Sequence, residues 1–143
     1  LGDLNDDPWD DSVVFNARAT RERGDVERAE SSRFYNLSWE YLVTEATSHK
    51  GTTRTLDGTL YYRSNGNLFD QILVNRPLLD SKNDSHFKLI DGSAGLVVFP
   101  EMVSHRVSEG PIRFGLPKGD ADKNVNPQGF SDHFPISLIV TEV

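Results

Sequence analysis

The sequence contains no cysteine, and it has no apolar run long enough to cross a membrane. Without cysteine, disulfide frameworks, thiolate zinc sites and cysteine nucleophiles are all excluded. Any metal site must therefore be built from oxygen or imidazole ligands. The lack of a long apolar segment, together with a mean hydropathy of -0.49, predicts a globular protein without a membrane span.

Positive charge is also scarce. The chain has 15 Lys and Arg residues against 22 Asp and Glu residues, which gives a net charge of -7. Because affinity for nucleic-acid phosphates comes mainly from Lys and Arg, this balance does not favour a nucleic-acid partner unless the basic surface is local. The excess of carboxylates suits a protein that needs a cation before it can hold an anionic substrate.

The apolar pattern predicts several short elements within 143 residues, a length that suits one domain or part of one. A core-facing helix is predicted over 34–46. Strands at 58–63 and 68–75 with a turn at 64–67 form the clearest hairpin, and the charge-rich residues 17–33 indicate a solvated segment. Further predictions are strands at 86–90, 95–99 and 136–141 and a polar loop at 115–129.

Two short polar motifs stand near opposite ends of the chain. They are Gly2-Asp3-Leu4-Asn5-Asp6 and Ser131-Asp132-His133-Phe134-Pro135. In an extended backbone the side chains of Asp3 and Asn5 point the same way, so that they can share one ligand. Asp132 and His133 directly precede an apolar strand, and active-site residues favour such a rim because a rigid scaffold holds them within reach of solvent.

Between the two motifs, Asp70 begins an otherwise apolar segment that runs to Val74. A carboxylate in such surroundings needs a partner that offsets its desolvation, and His133 is the economical candidate. Taken singly, each of these features is more often an ordinary turn or a solvated surface group. Their joint occurrence in this order is what indicates a catalytic site.

Together these motifs resemble those of the endonuclease/exonuclease/phosphatase superfamily. Gly2-Asp3-Leu4-Asn5 is similar to the family's Gly-Asp-Phe-Asn, with Leu4 in place of the usual aromatic residue. Leu68 to Val74 resembles its Asp-containing strand, Ser131 to Pro135 resembles its terminal Ser-Asp-His-x-Pro, and Gly58 to Gln71 is similar to its bacterial branch. The resemblance implies an α+β fold, namely half of a four-layer α/β sandwich with two packed, mainly antiparallel β-sheets flanked by helices.

The resemblance also implies a divalent-metal-dependent phosphoester hydrolase (phosphodiesterase, nuclease or phosphatase) in which water attacks a phosphate ester in line. Asp3 would orient or deprotonate the water, and Asn5 would donate a hydrogen bond to a phosphoryl oxygen. His133 would contact the scissile phosphate, Asp70 would hold its imidazole, and Asp132, together with Asp3, would lie at the metal. Whether Asp3 or His133 is the base is left open. Hard oxygen ligands favour Mg²⁺, with Mn²⁺ as a substitute.

By the same resemblance, residues 1–143 are expected to be the C-terminal part of one such domain, with the upstream half absent. The family's metal-binding Glu, an early Asn and a further catalytic His or Tyr would then precede Leu1. We therefore expect the chain alone to be inactive and to bind Mg²⁺ weakly. Exposed apolar faces and unpaired strand edges would make it self-associate or pair with the missing half. The sequence does not indicate a compartment.

Two other interpretations stay open. One is a calcium-binding module, because residues 3–7 and 120–124 both begin like EF-hand loops, although Pro8 and Val125 stand where such loops have Gly. The other is a catalytically inactive interaction module with the same fold. Retention of all the site residues argues against the second interpretation, because a decayed enzyme has no physical reason to keep charges that cost desolvation.

Overall fold

The computed structural model describes residues 1–79, 86–115 and 125–143. Its strands are β1 (Gly2–Asp3), β2 (Ala19–Thr20), β3 (Phe34–Asn36), β4 (Thr44–Thr47), β5 (Thr53–Leu56), β6 (Leu60–Tyr62), β7 (Asn65–Asn67), β8 (Asp70–Gln71), β9 (Leu73–Val74), β10 (Phe87–Leu89), β11 (Gly95–Leu96), β12 (Ile136–Ser137) and β13 (Val140–Glu142). Its helices are a π-helix (Ser12–Asn16), α1 (Arg23–Arg28), a 3-10 helix (Leu37–Tyr41), α2 (Arg76–Leu79) and a second 3-10 helix (Pro100–Met102).

The chain divides into two compact units. Unit 1 comprises Leu1–Leu42, Leu68–Gly95 and Ile136–Val143, and unit 2 comprises Val43–Asn67 and Leu96–Pro135. In unit 1, β1 pairs antiparallel with β8, β10 pairs antiparallel with β13, and β3 lies between a parallel β2 and an antiparallel β9. In unit 2, β4 pairs with β5 and β6 pairs with β7, both antiparallel. This mixture of short helices and mostly antiparallel strands confirms the predicted α+β class.

The predicted strand at 68–75 is present in part, because β8 and β9 occupy its centre and are separated by Ile72. The buried apolar residues of unit 1 are Val13, Ala19, Val26, Leu37, Tyr41, Leu68, Ile72, Val74 and Leu79. Three of them come from this segment, so its apolar pattern did indicate a buried strand. The break between β8 and β9 lets the segment pair first with β1 and then with β3.

The helix predicted over 34–46 is wrong. The segment forms β3, a 3-10 helix and β4 instead. The Asn36 side chain accepts a hydrogen bond from the backbone N–H of Ser38 (3.0 Å), which starts the 3-10 turn, and the N–H of Leu37 donates to the carbonyl of Ile72 (2.9 Å). Tertiary pairing with the apolar strand has overridden the approximate helical spacing.

The solvated segment predicted at 17–33 is more structured than its charges suggest. It contains β2 and α1, and Val26 on the helix is only 1% exposed. Arg23 fixes the start of the helix by donating to Glu27 (2.8 Å), to Asp91 (2.5 Å) and to the carbonyl of Leu79 (2.9 Å). A single buried apolar residue gives too weak a periodic signal for a sequence pattern to reveal such a helix.

The predicted hairpin exists in unit 2, but its second arm and its turn are placed elsewhere. Tyr62 pairs with Asn65, so the two-residue turn is Arg63-Ser64 rather than 64–67. Gly66 lies within β7, where an added Cβ would approach the Asp57 carboxylate to 2.4 Å. Gly66, which together with Asn65 indicated a turn, is therefore needed for close packing beside Asp57.

The strands predicted at 86–90, 95–99 and 136–141 are confirmed as shorter elements, namely β10, β11 and the pair β12 and β13. The core of unit 2 consists of Ala46, Leu56, Tyr61, Met102, Val103 and Phe134. Most of the predicted loop at 115–129, including the calcium-like residues 120–124, lies outside the described residues. Within the described ranges, no helix is long and apolar enough to span a membrane.

Candidate functional site

Asp3 and Asp70 are direct cross-strand neighbours in unit 1. The antiparallel register of β1 and β8 places Asp3 opposite Asp70. The N–H of Leu4 donates to the carbonyl of Phe69 (2.8 Å), which makes the Asp3–Asp70 pair a non-hydrogen-bonded one, the arrangement in which opposing side chains come closest. Two of the predicted catalytic carboxylates are therefore adjacent on one face of a two-stranded ladder, although they are 67 positions apart in sequence.

Asn5 joins this pair through a turn. Its backbone N–H donates to Oδ1 of Asp3 (2.8 Å), and its φ of 56° lies in the left-handed region that Asn tolerates better than most residues. The extended backbone assumed in the sequence prediction is wrong, since β1 ends at Asp3. A side-chain-to-backbone hydrogen bond, rather than strand alternation, brings Asn5 to Asp3.

The pair is open to solvent on one side and supported on the other. Asp3 and Asn5 are exposed and Asp70 is half-buried. Beneath them, the hydroxyl of the buried Tyr41 donates to the backbone carbonyl of Asp70 (3.2 Å). Burial, and secondarily the nearby Asp70 charge, raise the pKa of Tyr41 far above its usual value, so the phenol remains a hydrogen-bond donor at neutral pH.

A buried amide network holds the chain that follows Asn5. Gln71 is fully buried; its Oε1 accepts from Nδ2 of Asn36 (2.7 Å), and its Nε2 donates to the carbonyl of Asp6 (2.6 Å). Asp7 is also buried, and its Oδ1 accepts the N–H of Leu68 (2.6 Å). These bonds tie the Asp3–Asn5 turn to the strand that carries Asp70.

Tyr41, Asn36 and Gln71 were not recognised from the sequence as parts of this site. A glutamine inside an apolar strand is the one signal that could have indicated the network, because buried polar side chains are normally hydrogen-bonded. Tyr41 offered no such signal, since an aromatic residue among apolar neighbours is usually an ordinary core residue.

Asp132 and His133 lie on the second motif, in unit 2. His133 forms an isolated β-bridge with Leu60, and the N–H of Phe134 donates to the carbonyl of Thr59 (2.8 Å). Phe134 is fully buried in the core of unit 2, while His133 is half-buried and Asp132 is exposed. The buried Phe134 thus anchors the motif in the core of unit 2, and the adjacent His133 stays partly accessible to solvent.

The structure thus brings Asp3, Asn5 and Asp70 together within unit 1 and fixes Asp132 and His133 as neighbours within unit 2. The pairing of His133 with Asp70 stays a prediction. So do the catalytic and metal-binding roles of these residues.

The donor chemistry of the first group fits a hard divalent cation. Asp3, Asn5 and Asp70 offer only carboxylate and amide oxygens, the ligands that Mg²⁺ and Mn²⁺ prefer. Two carboxylates directly opposite each other also repel, and a cation between or beside them relieves that repulsion. Among the described residues, however, no group of three or more His, Cys, Asp or Glu side chains could hold a metal ion by itself.

The calcium-loop interpretation of residues 3–7 finds no support in this geometry. The carboxylate of Asp6 accepts a hydrogen bond from Ser12 (2.5 Å), and that of Asp7 caps the N–H of Leu68. Asp7, the fifth position of such a loop and a ligand position, is used here to fix the backbone of Leu68.

Comparison with known proteins gives one match. No curated protein and no solved structure shows a significant similarity to the chain. A model of the endonuclease/exonuclease/phosphatase family matches residues 1–142, which includes both polar motifs and the strand of Asp70. Members of this family are generally hydrolases that act on phosphate esters. Because the match extends over almost all of the sequence, the chain belongs to the endonuclease/exonuclease/phosphatase family.

Proposed function

We propose that this chain carries catalytic residues of a divalent-metal-dependent phosphoester hydrolase in which water attacks the phosphate in line. The observation that supports the proposal most strongly is the direct opposition of Asp3 and Asp70, with Asn5 turned onto Asp3. Like charges facing each other across a ladder repel, and a divalent cation bound at the pair would relieve that repulsion. Family membership supplies the class of that chemistry.

In this proposal the exposed Asp3 orients or deprotonates the attacking water, and the Asn5 amide donates to a phosphoryl oxygen. Asp70 holds the His133 imidazole in one tautomer and supports its positive charge. His133 contacts the scissile phosphate, and Asp132 lies beside the metal. Both Asp3 and His133 are candidates for the base.

Mg²⁺, or Mn²⁺ in its place, is the proposed metal, and when bound it neutralises charge on the nonbridging phosphate oxygens. Asp3 and Asp132 would supply protein oxygens to it. Because the described residues contain no complete cluster of ligands, the remaining positions fall to water, to substrate or to protein groups outside this set. We expect the chain to hold the metal weakly without them.

The net charge of -7 favours a small phosphodiester or phosphomonoester over long DNA as substrate. Long duplex binding depends on many phosphate contacts, whereas a small ester needs only the metal and a few hydrogen bonds.

The test is hydrolysis by the natural gene product that carries this sequence, using a chromogenic phosphodiester, sugar phosphates and DNA as substrates. His133→Ala should lower kcat at least about 10²-fold while the protein stays folded, since loss of a general acid or base has that size. His86→Ala is the matched control, because His86 is an exposed imidazole in unit 1. Equal activities of the two variants, or no turnover of any ester by the wild type, would reject the proposal and leave an inactive interaction module.

A further inference from the structure

Unit 2 contains a cleft that the proposed hydrolytic residues do not line. Its volume is about 580 Å³, which is in the range of small-molecule sites. Its lining residues are Tyr61, Tyr62, Arg63, Ser64, Ser108, Glu109, Pro111, Ile112, Arg113 and Asn126. Hydroxyl, amide and guanidinium groups thus converge on a depression that also has an aromatic wall.

The cleft is locally basic in an acidic protein. Arg63 and Arg113 contribute two positive charges. The one carboxylate among the lining residues, Glu109, is already bonded to Arg106 (3.0 Å) and to the hydroxyl of Ser104 (2.8 Å). The hydrogen bond from Ser104 and the ion pair with Arg106 lower the pKa of Glu109, so its charge is matched by Arg106 and not by the two arginines of the cleft. This is a local basic surface of the kind that the net charge of -7 does not reveal.

An exposed aromatic ring lies beside this charge. The side chain of Tyr62 is 60% exposed, and the guanidinium of Arg63 lies 5.2 Å from its ring centroid. A flat ring next to a delocalised cation is a stacking surface for a nucleobase, and the same guanidinium can bind phosphate in a bidentate manner.

The turn that presents these two side chains is strained. Arg63 and Ser64 have φ values of 49° and 71°, a region that favours Gly and Asn over Arg and Ser. Such strain is retained most often where a side chain has a function to perform.

The walls of the cleft are held in place from behind. Arg54 donates to the carbonyls of Ser104, Arg106, Val107 and Glu109 at 2.6–3.0 Å. The same guanidinium lies 5.7 Å from the ring centroid of Tyr61, and Arg113 donates to the Tyr61 carbonyl. Gly110 allows its own loop to pack against Tyr61, because a Cβ at this position would lie 2.1 Å from the Tyr61 ring. A prebuilt cleft of this kind loses little entropy when a ligand binds.

We propose that this cleft of unit 2 binds a nucleoside monophosphate, with the base stacked on the Tyr62–Arg63 surface and the phosphate held by Arg63 and Arg113. Ser64, Ser108 and Asn126 also line the cleft, and their hydroxyl and amide groups are of the kind that bind sugar and phosphate oxygens. This site does not depend on the hydrolytic function, since Asp3, Asn5, Asp70, Asp132 and His133 are not among its lining residues.

The experiment is calorimetric titration of the natural gene product that carries this sequence with AMP, adenosine and ribose 5-phosphate in the presence of EDTA, so that no metal and no turnover contribute. AMP should bind at least about tenfold more tightly than either of the other two, because only AMP engages both the stacking surface and the arginines. AMP binding no tighter than that of ribose 5-phosphate would overturn the proposal, as would tight binding of an oligonucleotide without any binding of AMP.

Two pairs of variants locate the site. Tyr62→Ala should reduce AMP affinity to that of ribose 5-phosphate, whereas Tyr62→Phe should retain it, since only the ring is needed. Arg63→Asn should weaken AMP binding at least about fivefold while leaving adenosine unchanged, and Asn suits the left-handed turn, so the hairpin stays folded. Arg28→Gln, on an exposed arginine of unit 1, is the charge-matched control. Equal losses of AMP affinity in Arg63→Asn and Arg28→Gln would show that Arg63 does not bind the phosphate, and would refute the proposed site.

Discussion

Asp3→Asn is expected to separate stability from activity. The substitution keeps an Oδ1 acceptor for the N–H of Asn5, so the turn survives, but it removes one of the two facing carboxylates. At a separation of roughly 5 Å, two unit charges in water repel by about 0.8 kcal/mol, which is similar in size to the 0.2–1 kcal/mol that favourable cross-strand pairs roughly contribute. The variant should therefore be more stable than the wild type by about 0.5 kcal/mol in metal-free buffer.

Urea unfolding at two salt concentrations measures this effect. The gain should be present in 10 mM NaCl, where the Debye length is about 30 Å, and should nearly vanish in 1 M NaCl, where it is about 3 Å. Added Mg²⁺ should stabilise the wild type more than the variant, because the variant offers one carboxylate fewer. Hydrolysis by the same variant should fall about 10²–10⁴-fold, the usual effect of losing a proton-transfer group.

Asp3→Ala is the matched control, because it removes both the charge and the acceptor for Asn5. Its stability should fall by about 1 kcal/mol relative to Asp3→Asn, the value of a typical hydrogen bond. If Asp3→Asn instead destabilises the protein by more than 1 kcal/mol at both salt concentrations, the Asp3 carboxylate supports the fold, and the argument from paired charges fails.

Three further predictions concern the scaffold. Gln71→Leu should lower the free energy of unfolding, measured in urea, by about 2 kcal/mol, because the buried amide of Asn36 loses its acceptor, and Gln71→Glu should not restore that stability fully. An unchanged unfolding midpoint in Gln71→Leu would show that this hydrogen bond does not stabilise the fold. Arg63→Asn should raise the free energy of unfolding by about 0.5–1 kcal/mol by relieving the left-handed strain, and a loss would show that the arginine stabilises the turn. Burial and the hydrogen bond to Asp57 raise the pKa of Tyr61 to about 12. The protonated phenol therefore stabilises the native state fully below pH 10, and this contribution is lost between pH 10 and 12. In Tyr61→Phe, the free energy of unfolding should fall less steeply with pH in that window.

The sequence predicted the segments where a local pattern and the tertiary environment agree. The run from Leu68 to Val74 is mostly apolar because Leu68, Ile72 and Val74 are buried, and their burial could be predicted from the local pattern. The α+β class was implied by the resemblance of the motifs around Asp3 and His133 to those of the family, and the fold confirms it. Phe134, fully buried in the core of unit 2, explains why an apolar residue separates the motif histidine from Pro135.

Other features depend on contacts that no local pattern contains. The register that sets Asp3 opposite Asp70 is fixed by pairing between distant segments, and a shift of one residue would have separated the two carboxylates. Asn65-Gly66 resembled a turn, yet Gly66 is needed for the approach of Asp57. The 34–46 segment had helical spacing, but Leu37 bonds to the Ile72 carbonyl across the sheet. In each case a tertiary contact outweighed a local preference of at most about 1 kcal/mol per residue.

Metal-dependent hydrolysis by the site of Asp3, Asn5 and Asp70 can be tested by one titration. The natural gene product is stripped of metal with EDTA, dialysed, and assayed on a chromogenic phosphodiester as free Mg²⁺ is raised from zero. We predict no turnover without metal, a rate that rises and saturates with Mg²⁺, recovery with Mn²⁺, and a rate at least about 10²-fold lower in Asp3→Asn over the same range. Undiminished turnover in the presence of EDTA would contradict the account.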